Sequence, residues 1–443
     1  MKCAPTRLLD PIGCAECDGN VGGELFVAAK NGRRRSRGEN GDDDSESHQD
    51  SPQDRPRDVW SGCYFDQVVT NRRSFPPRAA PENPVMNVFS PLRKISIGLM
   101  LVASSAVSAS AQLKEGSAAI ADLRLNQVQV IGSHNSYHLP PGKTELELMD
   151  RDGKEHSGLE YGGMTLSEQF DRGVRQIELD LYPDWEGGRF AKPGAFAKAA
   201  ELGLEAPAAH DPEDELKQPG TKVLHQPDLD FRSTVLTLKS ALTEVDQWSQ
   251  AHPDHYPIFI LLELKGGKKD WAGDGLTKLE WEILQVVGKK RIVTPDAVRG
   301  GDKTLREAVL SKGWPTMEDS AGRLMFGLDN EDELRDDYLA KSPKLRGRLL
   351  FPSCDKEESP AAAWFKMNDA KKEFKRIQAR VKKGFMVRTR SDVGLKKKPA
   401  LRELAIASGA QFVSSDFAGN QEHGFGVAFP DGTLLRINPL TED

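Results

Sequence analysis

Cysteine is scarce in this chain. Of 443 residues only five are cysteine; Cys3, Cys14, Cys17 and Cys63 fall near the start, which leaves Cys354 alone after residue 112. A lone thiol excludes a disulfide framework, so what folds there must be held by burial. Long apolar runs are missing too, and no stretch would serve as a membrane-spanning anchor in the mature protein. Positive charge is not in excess: 61 Lys and Arg against 67 Asp and Glu give a net charge of -6, which argues against a nucleic-acid binder. No glycine-rich nucleotide fingerprint follows the first apolar run, and no internal repeat is found. What is there is ordinary globular composition, 38% hydrophobic and 29% charged, enough for one large domain or two medium ones.

Residues 1–85 differ from the rest. A basic cluster at Arg33–Arg37, an acidic one at Asp42–Asp50 and a Pro- and Arg-rich stretch to Pro84 carry no sustained apolar period, so a disordered extension is expected. Cys14 and Cys17 lack further ligands at a zinc-site spacing. From Met86, a basic pair (Arg93, Lys94), an apolar run (Ile95–Val107) and Ala109-Ser110-Ala111 follow the order of a secretory signal peptide. An export signal does not sit in the middle of a precursor, so translation is expected to begin at Met86. Residues 86–111 are then the signal, cleaved near Ala111, and 112–443 the secreted or periplasmic mature chain.

Past Gln112, short apolar runs alternate with amphipathic stretches. Expected strands are Val128–Ser133, Val174–Leu181, Lys222–Leu224, Ile258–Leu264, Leu324–Leu328, Leu349–Phe351, Phe385–Arg388 and Gln411–Ser414, with helices between them, among them Val235–Gln250, Ala361–Val381 and Pro399–Ala407. Alternation of this kind predicts an α/β fold, a (β/α)8 TIM barrel, with a doubly wound open sheet as the alternative. Pro140–Gly163 and Asp184–Gly220 read as long loops at the C-terminal face of the strands, and Gly424–Asn438 as a terminal hairpin.

Chemistry gathers at strand tips. The first run ends in Ser133-His134-Asn135-Ser136. On the second, Glu178 and Asp180 share a face by alternation, and two carboxylates at a barrel mouth need a cation, with hard oxygen ligands suiting Ca²⁺. His225 follows the third run, while Glu263 and Lys265 share a side at the end of the fourth. Asp329, Arg388, Arg390 and Asp416 follow later strands; the arginines suit phosphate or an ion pair with Asp392 or Asp416. His252 and His255 fall at the opposite end of the barrel, and His138, His156 and His210 read as commonplace loop histidines. The Lys396–Lys398 run reads as solvated.

These tips, in this order, resemble the catalytic domain of calcium-dependent phosphatidylinositol-specific phospholipase C in its compact secreted bacterial form, over Val128 to about Phe417. The resemblance implies that Asn135, Glu178, Asp180 and Glu263 ligate Ca²⁺. It implies further that His134 donates to the phosphoryl oxygens, that His225 protonates the departing diacylglycerol, and that Glu178 or Glu263 is the base. Lys265, Arg388, Arg390 and Asp416 are substrate-binding candidates. A phosphoinositide substrate implies peripheral membrane contact, for which Trp185, Phe190 and Phe196 are the candidates; no nucleic acid and no obligate protein partner are implied. Two other readings stand beside this one. A glycerophosphodiester phosphodiesterase shares the barrel, the Glu-x-Asp pair and two histidines, but resembles His-Arg-Gly after its first strand where this chain has His134-Asn135-Ser136. The other is a catalytically silent lipid- or carbohydrate-binding barrel.

Overall fold

The computed structural model describes residue 115 and residues 118–418 and 426–441. The expected extension, signal segment and cysteine pair lie outside the described residues.

Ten strands are formed: β1 (Val128–Ser133), β2 (Gln176–Tyr182), β3 (Lys222–Val223), β4 (Ile258–Leu264), β5 (Leu324–Leu328), β6 (Leu350–Pro352), β7 (Trp364–Asp369), β8 (Met386–Arg390), β9 (Phe412–Ser415) and β10 (Leu435–Ile437). Eight of them run parallel in the order β6-β5-β4-β2-β1-β9-β8-β7. The two ends of this path meet through single contacts: the Cys354 N–H donates to the Trp364 carbonyl at 3.2 Å and the Lys366 N–H to Ser353 Oγ at 3.1 Å. With helices between strands this is a nearly closed (β/α)8 barrel. The strands read as unbroken apolar runs because both of their faces are buried, one inside the barrel and one under helices.

Inside, alternation sorts residues by height. Phe259 and Phe412 stack across the interior with centroids 4.5 Å apart, and Trp364 meets Phe259 edge-on at 5.4 Å. Gly327 makes room for this plug, since a Cβ there would stand 2.7 Å from the Phe259 ring. One or two inward positions further toward the C-terminal end come Glu178, Asp180, Glu263, Lys366, Arg388 and Arg390. The barrel is therefore apolar below and charged at its mouth.

Three expectations need correction. The third expected strand is not a barrel strand: β3 has two residues and pairs antiparallel with β2. The eighth barrel strand is instead β7, which lies within the expected helix Ala361–Val381; that helix begins only at Ala370, with Asp369 accepting from the Lys372 N–H at 3.0 Å as its N-cap. The expected hairpin forms its turn, with the Gly432 N–H donating to the Phe429 carbonyl at 2.8 Å. Its second strand, β10, pairs antiparallel with β1, taking the start of the edge whose end belongs to β2.

The two long loops are structured. They carry the helices Lys143–Arg151 and Gly194–Glu201, which bury Leu148, Met149, Phe190, Ala195, Ala199 and Leu216 with Phe231 and Leu236 in a second small core. Phe190 is thus buried, Phe196 packs on that core, and Trp185 packs against the main one beside Trp271. None of the three is a free apolar tip. No described helix is long and apolar enough to cross a membrane.

Candidate active site

β1 stops at Ser133, and Asn135 takes φ 42°, a left-handed conformation that asparagine tolerates better than most residues. The turn is stapled to β2: the Ser136 N–H donates to the Glu178 carbonyl at 3.0 Å, and the Glu178 N–H donates to Ser136 Oγ at 2.9 Å. Asn135 Nδ2 donates to the Tyr161 hydroxyl at 2.8 Å, while its Oδ1 is buried without a hydrogen-bond partner.

Carboxylate oxygens of Glu178, Asp180 and Glu263 lie within 4.8 Å of one another. Both Asp180 oxygens are buried and lack hydrogen bonds. The Lys265 ammonium stands 3.1 Å from Asp180 and 3.0 Å from Glu263, the former an ion pair without hydrogen-bond alignment. Arg388 donates to Glu178 Oε2 and Asn368 Oδ1, each at 2.5 Å, and to Ser414 Oγ at 3.1 Å. Burial pushes the Asp180 carboxyl well up, with the charges of Glu263 and Glu178 adding to it and Lys265 only partly offsetting. Burial also opposes ionisation of Glu178 and Glu263, yet Arg388 holds Glu178 below its ordinary value, and Lys265 with Lys366 brings Glu263 down to about 2.

His134 lies beside this cluster, and His225 follows Leu224, whose N–H donates to the Asp180 carbonyl at 3.2 Å. His134 Nδ1 is 2.8 Å from Asp416 Oδ1, and its Nε2 lies 3.2 Å from Arg390 Nη1 and 3.8 Å from Glu178 Oε1. A guanidinium only donates, so Nε2 accepts and Nδ1–H donates to Asp416. Burial, then the Arg390 charge, lowers the His134 pKa, in keeping with a neutral ring. His225 Nδ1 is 2.5 Å from Asp230 Oδ2. Arg390 also donates to Asp416 at 2.8 Å, and Lys366 pairs with Asp329 at 2.6 Å. Burial raises Asp329 to about 7 against the opposing Lys366 charge.

Residues 123–439 match the family described as phosphoinositide phospholipase C, Ca²⁺-dependent. The chain belongs to that family. It is accordingly an enzyme of the phosphodiesterase class, and calcium is the family's metal. A search of curated proteins gives no match. Among solved structures, the chain is similar to a calcium-dependent phosphoinositol-specific phospholipase C from Pseudomonas sp. (16% identity, TM-score 0.49, covering 73% of this chain and 99% of that one). It is also similar to a Ca²⁺-dependent phosphatidylinositol-specific phospholipase C from Streptomyces antibioticus (21% identity, TM-score 0.42, covering 66% and 94%). A third likeness is to a glycerophosphoryl diester phosphodiesterase from Parabacteroides distasonis (10% identity, TM-score 0.31, covering 70% and 92%).

The donor set of this phospholipase C fits calcium on its own chemistry. The cluster offers oxygen ligands only, it includes three carboxylates, and the buried oxygens of Asp180 and Asn135 accept no hydrogen bond, Asp180 being met only by the Lys265 charge. The structure brings His134, Asn135, Glu178, Asp180, Glu263, Lys265, Arg388, Arg390 and Asp416 to one end of the barrel. Several of the substrate-binding candidates are already engaged: Arg388 with Glu178, Lys265 with Asp180 and Glu263, and Arg390 and Asp416 with each other and with His134. His138 needs correction. It is fully buried rather than a loop-surface histidine, with Nε2 at 2.9 and 3.0 Å from the oxygens of Asp230. Tyr161 and Asp230 were not expected at all. Both sit in loops without periodicity, and nothing in their local sequence marks them.

Proposed function

We propose that this phospholipase C cleaves phosphatidylinositol by intramolecular attack of the inositol 2-hydroxyl on phosphorus. One observation carries the reading: an all-oxygen cluster with unsatisfied buried acceptors lies beside His134 at the barrel mouth, and the segment that carries His225 is bonded to it, the Leu224 N–H donating to the Asp180 carbonyl at 3.2 Å. Asn135, Glu178, Asp180 and Glu263 would hold Ca²⁺, which when bound supplies positive charge to the phosphate and lowers the hydroxyl's pKa. Glu178, ionised and with Oε1 facing His134, takes the 2-hydroxyl proton; the oxygen–phosphorus bond forms as the bond to diacylglycerol breaks. His225, its Nδ1 held by Asp230, gives the Nε2 proton to the departing oxygen. In this reading Arg390 donates to the phosphoryl oxygens, and His134, accepting from it at 3.2 Å, orients that guanidinium rather than donating itself. Water then opens the cyclic phosphodiester with the acid and base roles reversed.

The test is ³¹P NMR of the protein with phosphatidylinositol vesicles, with and without a calcium chelator. Inositol 1,2-cyclic phosphate that disappears on chelation supports the reading. Hydrolysis of glycerophosphodiesters without a cyclic product supports the rival family's chemistry instead, and inertness toward both supports a silent barrel. We also propose export and peripheral membrane contact, as a bilayer substrate requires, with the working chain starting after Ala111; N-terminal sequencing that finds residues before Met86 retained would overturn the export reading.

A further inference from the structure

Five residues form one hydrogen-bonded run, four of them buried, in which Tyr161 takes part through both its hydroxyl and its backbone carbonyl. Asn135 Nδ2 donates to the Tyr161 hydroxyl at 2.8 Å. The Tyr161 carbonyl accepts from His138 Nδ1 at 3.0 Å, and the two rings stack with centroids 4.3 Å apart. His138 Nε2 faces both oxygens of Asp230 at 2.9 and 3.0 Å, and Asp230 receives His225 Nδ1 at 2.5 Å. Asn135, Tyr161, His138 and Asp230 are each at most 5% exposed. The arrangement is held from outside by the first long loop: the Gly163 N–H donates to the His138 carbonyl at 3.2 Å.

His138, His225 and Asp230 also have the composition of a zinc site. Their spacing argues otherwise. Ligands on a tetrahedral zinc at about 2.0–2.1 Å stand roughly 3.3 Å apart, whereas these atoms are 2.5–3.0 Å apart, the separation of shared protons. A carbonyl and a carboxylate only accept, so His138 donates from both ring nitrogens, Nδ1–H to the Tyr161 carbonyl and Nε2–H to Asp230, and His225 Nδ1–H donates to Asp230 from the other side, leaving His225 Nε2 free for substrate. At the other end the tyrosine hydroxyl takes the amide nitrogen of Asn135, leaving its carbonyl oxygen as the ligand atom.

We propose that Tyr161, His138 and Asp230 are positioning residues that tie the calcium ligand Asn135 to His225, so that one inserted loop aligns both halves of the site. The inference rests on the phospholipase reading for the roles of its two ends, but its test does not depend on activity alone. Removing only the hydroxyl, Tyr161→Phe should weaken Ca²⁺ binding by about 10- to 100-fold, the usual effect of losing an outer partner, measured by calorimetry without lipid. Asp230→Asn should leave calcium affinity within a few-fold while moving the His225 proton between ring nitrogens, read from the ¹⁵N imidazole spectrum, and should lower kcat by roughly 10²–10⁴ with KM little changed. His138→Phe, which keeps a stacking ring but neither hydrogen bond, should impair both calcium binding and the His225 tautomer; if it fails to fold, the two flanking variants still decide. Unchanged calcium affinity in Tyr161→Phe, or an unchanged His225 spectrum in folded Asp230→Asn, overturns the proposal. If the wild type releases no cyclic phosphate, the functional reading fails, while calorimetry and imidazole spectra still settle the positioning run.

Discussion

Asp180 is the residue whose surroundings are most at odds with its charge. It is fully buried, its oxygens lack hydrogen bonds, and burial raises its pKa. A carboxyl with a folded pKa above its unfolded value contributes stability that is full below the unfolded value and is lost as pH rises through the folded one. At pH 8 the metal-free protein therefore bears a cost that a bound cation would remove. Asp180→Asn is expected to melt at the same temperature as wild type or higher in chelator. In saturating calcium the order should reverse, because wild type gains about 2.7 kcal/mol at a hundredfold excess over Kd and the variant, its site weakened, gains less. Melting curves at pH 8 with and without calcium check this, and an equal calcium increment in both proteins would remove Asp180 from the ligand set. Asp180, Glu178 and Glu263 were legible in the sequence because strand alternation puts them on inward positions at strand ends. Asp230 was not: it closes a five-residue loop by pairing with Gln226, and a loop has no period from which a side chain's direction can be read. His138 was misread for a related reason, since what buries it, Tyr161 and Gly162, comes from a segment more than twenty residues later.

At the scale of elements, the missed strand β7 shows where punctuation fails. Asp369 is at once the last residue of β7 and the cap of the helix Ala370–Lys382, so no glycine, proline or loop separates them, and the amphipathic pattern of the helix runs backward over the strand. Its neighbours were legible because turns bound them. The first long loop offers an element-scale test through two adjacent glycines. Gly162 and Gly163 both have positive φ, 98° and 102°, so alanine strains either one, at roughly 1–3 kcal/mol. Only at Gly162 would a Cβ also meet the backbone, 1.8 Å from the His138 carbonyl, whereas at Gly163 nothing lies within 4 Å. Gly162→Ala should therefore lower Tm by several degrees more than Gly163→Ala and should open residues 140–163 to protease while the barrel's circular dichroism is kept. Equal effects from the two substitutions would mean that the loop does not lean on His138 as described.

Across the whole molecule, the barrel separates chemistry from stability: charge at the mouth, an aromatic plug in the middle, and at the far end a tightly bonded base. That base includes His255, which was expected there and is 2% exposed. Its Nδ1 donates to the Tyr256 carbonyl, and its Nε2 meets Ser249 Oγ, both at 2.6 Å. Burial brings its pKa down to about 4 from 6.5. The unfolded chain takes up this proton more readily than the folded one, so the stability that His255 contributes is present above pH 6.5 and is lost as pH falls toward 4. At about 1.4 kcal/mol per unit, the loss reaches roughly 3 kcal/mol. With the one thiol in the described chain, Cys354, free and buried, no disulfide offsets that loss. His255→Gln gives up two buried hydrogen bonds and should be less stable than wild type at pH 7.5. It carries no such proton linkage, however, so urea denaturation should show the gap between the two proteins shrinking by roughly 2–3 kcal/mol at pH 4.5. Carboxylates that titrate in the same range are common to both chains and cancel in the comparison. A gap that stays constant from pH 7.5 to 4.5 would place the acid sensitivity of this fold at its charged mouth instead of its base.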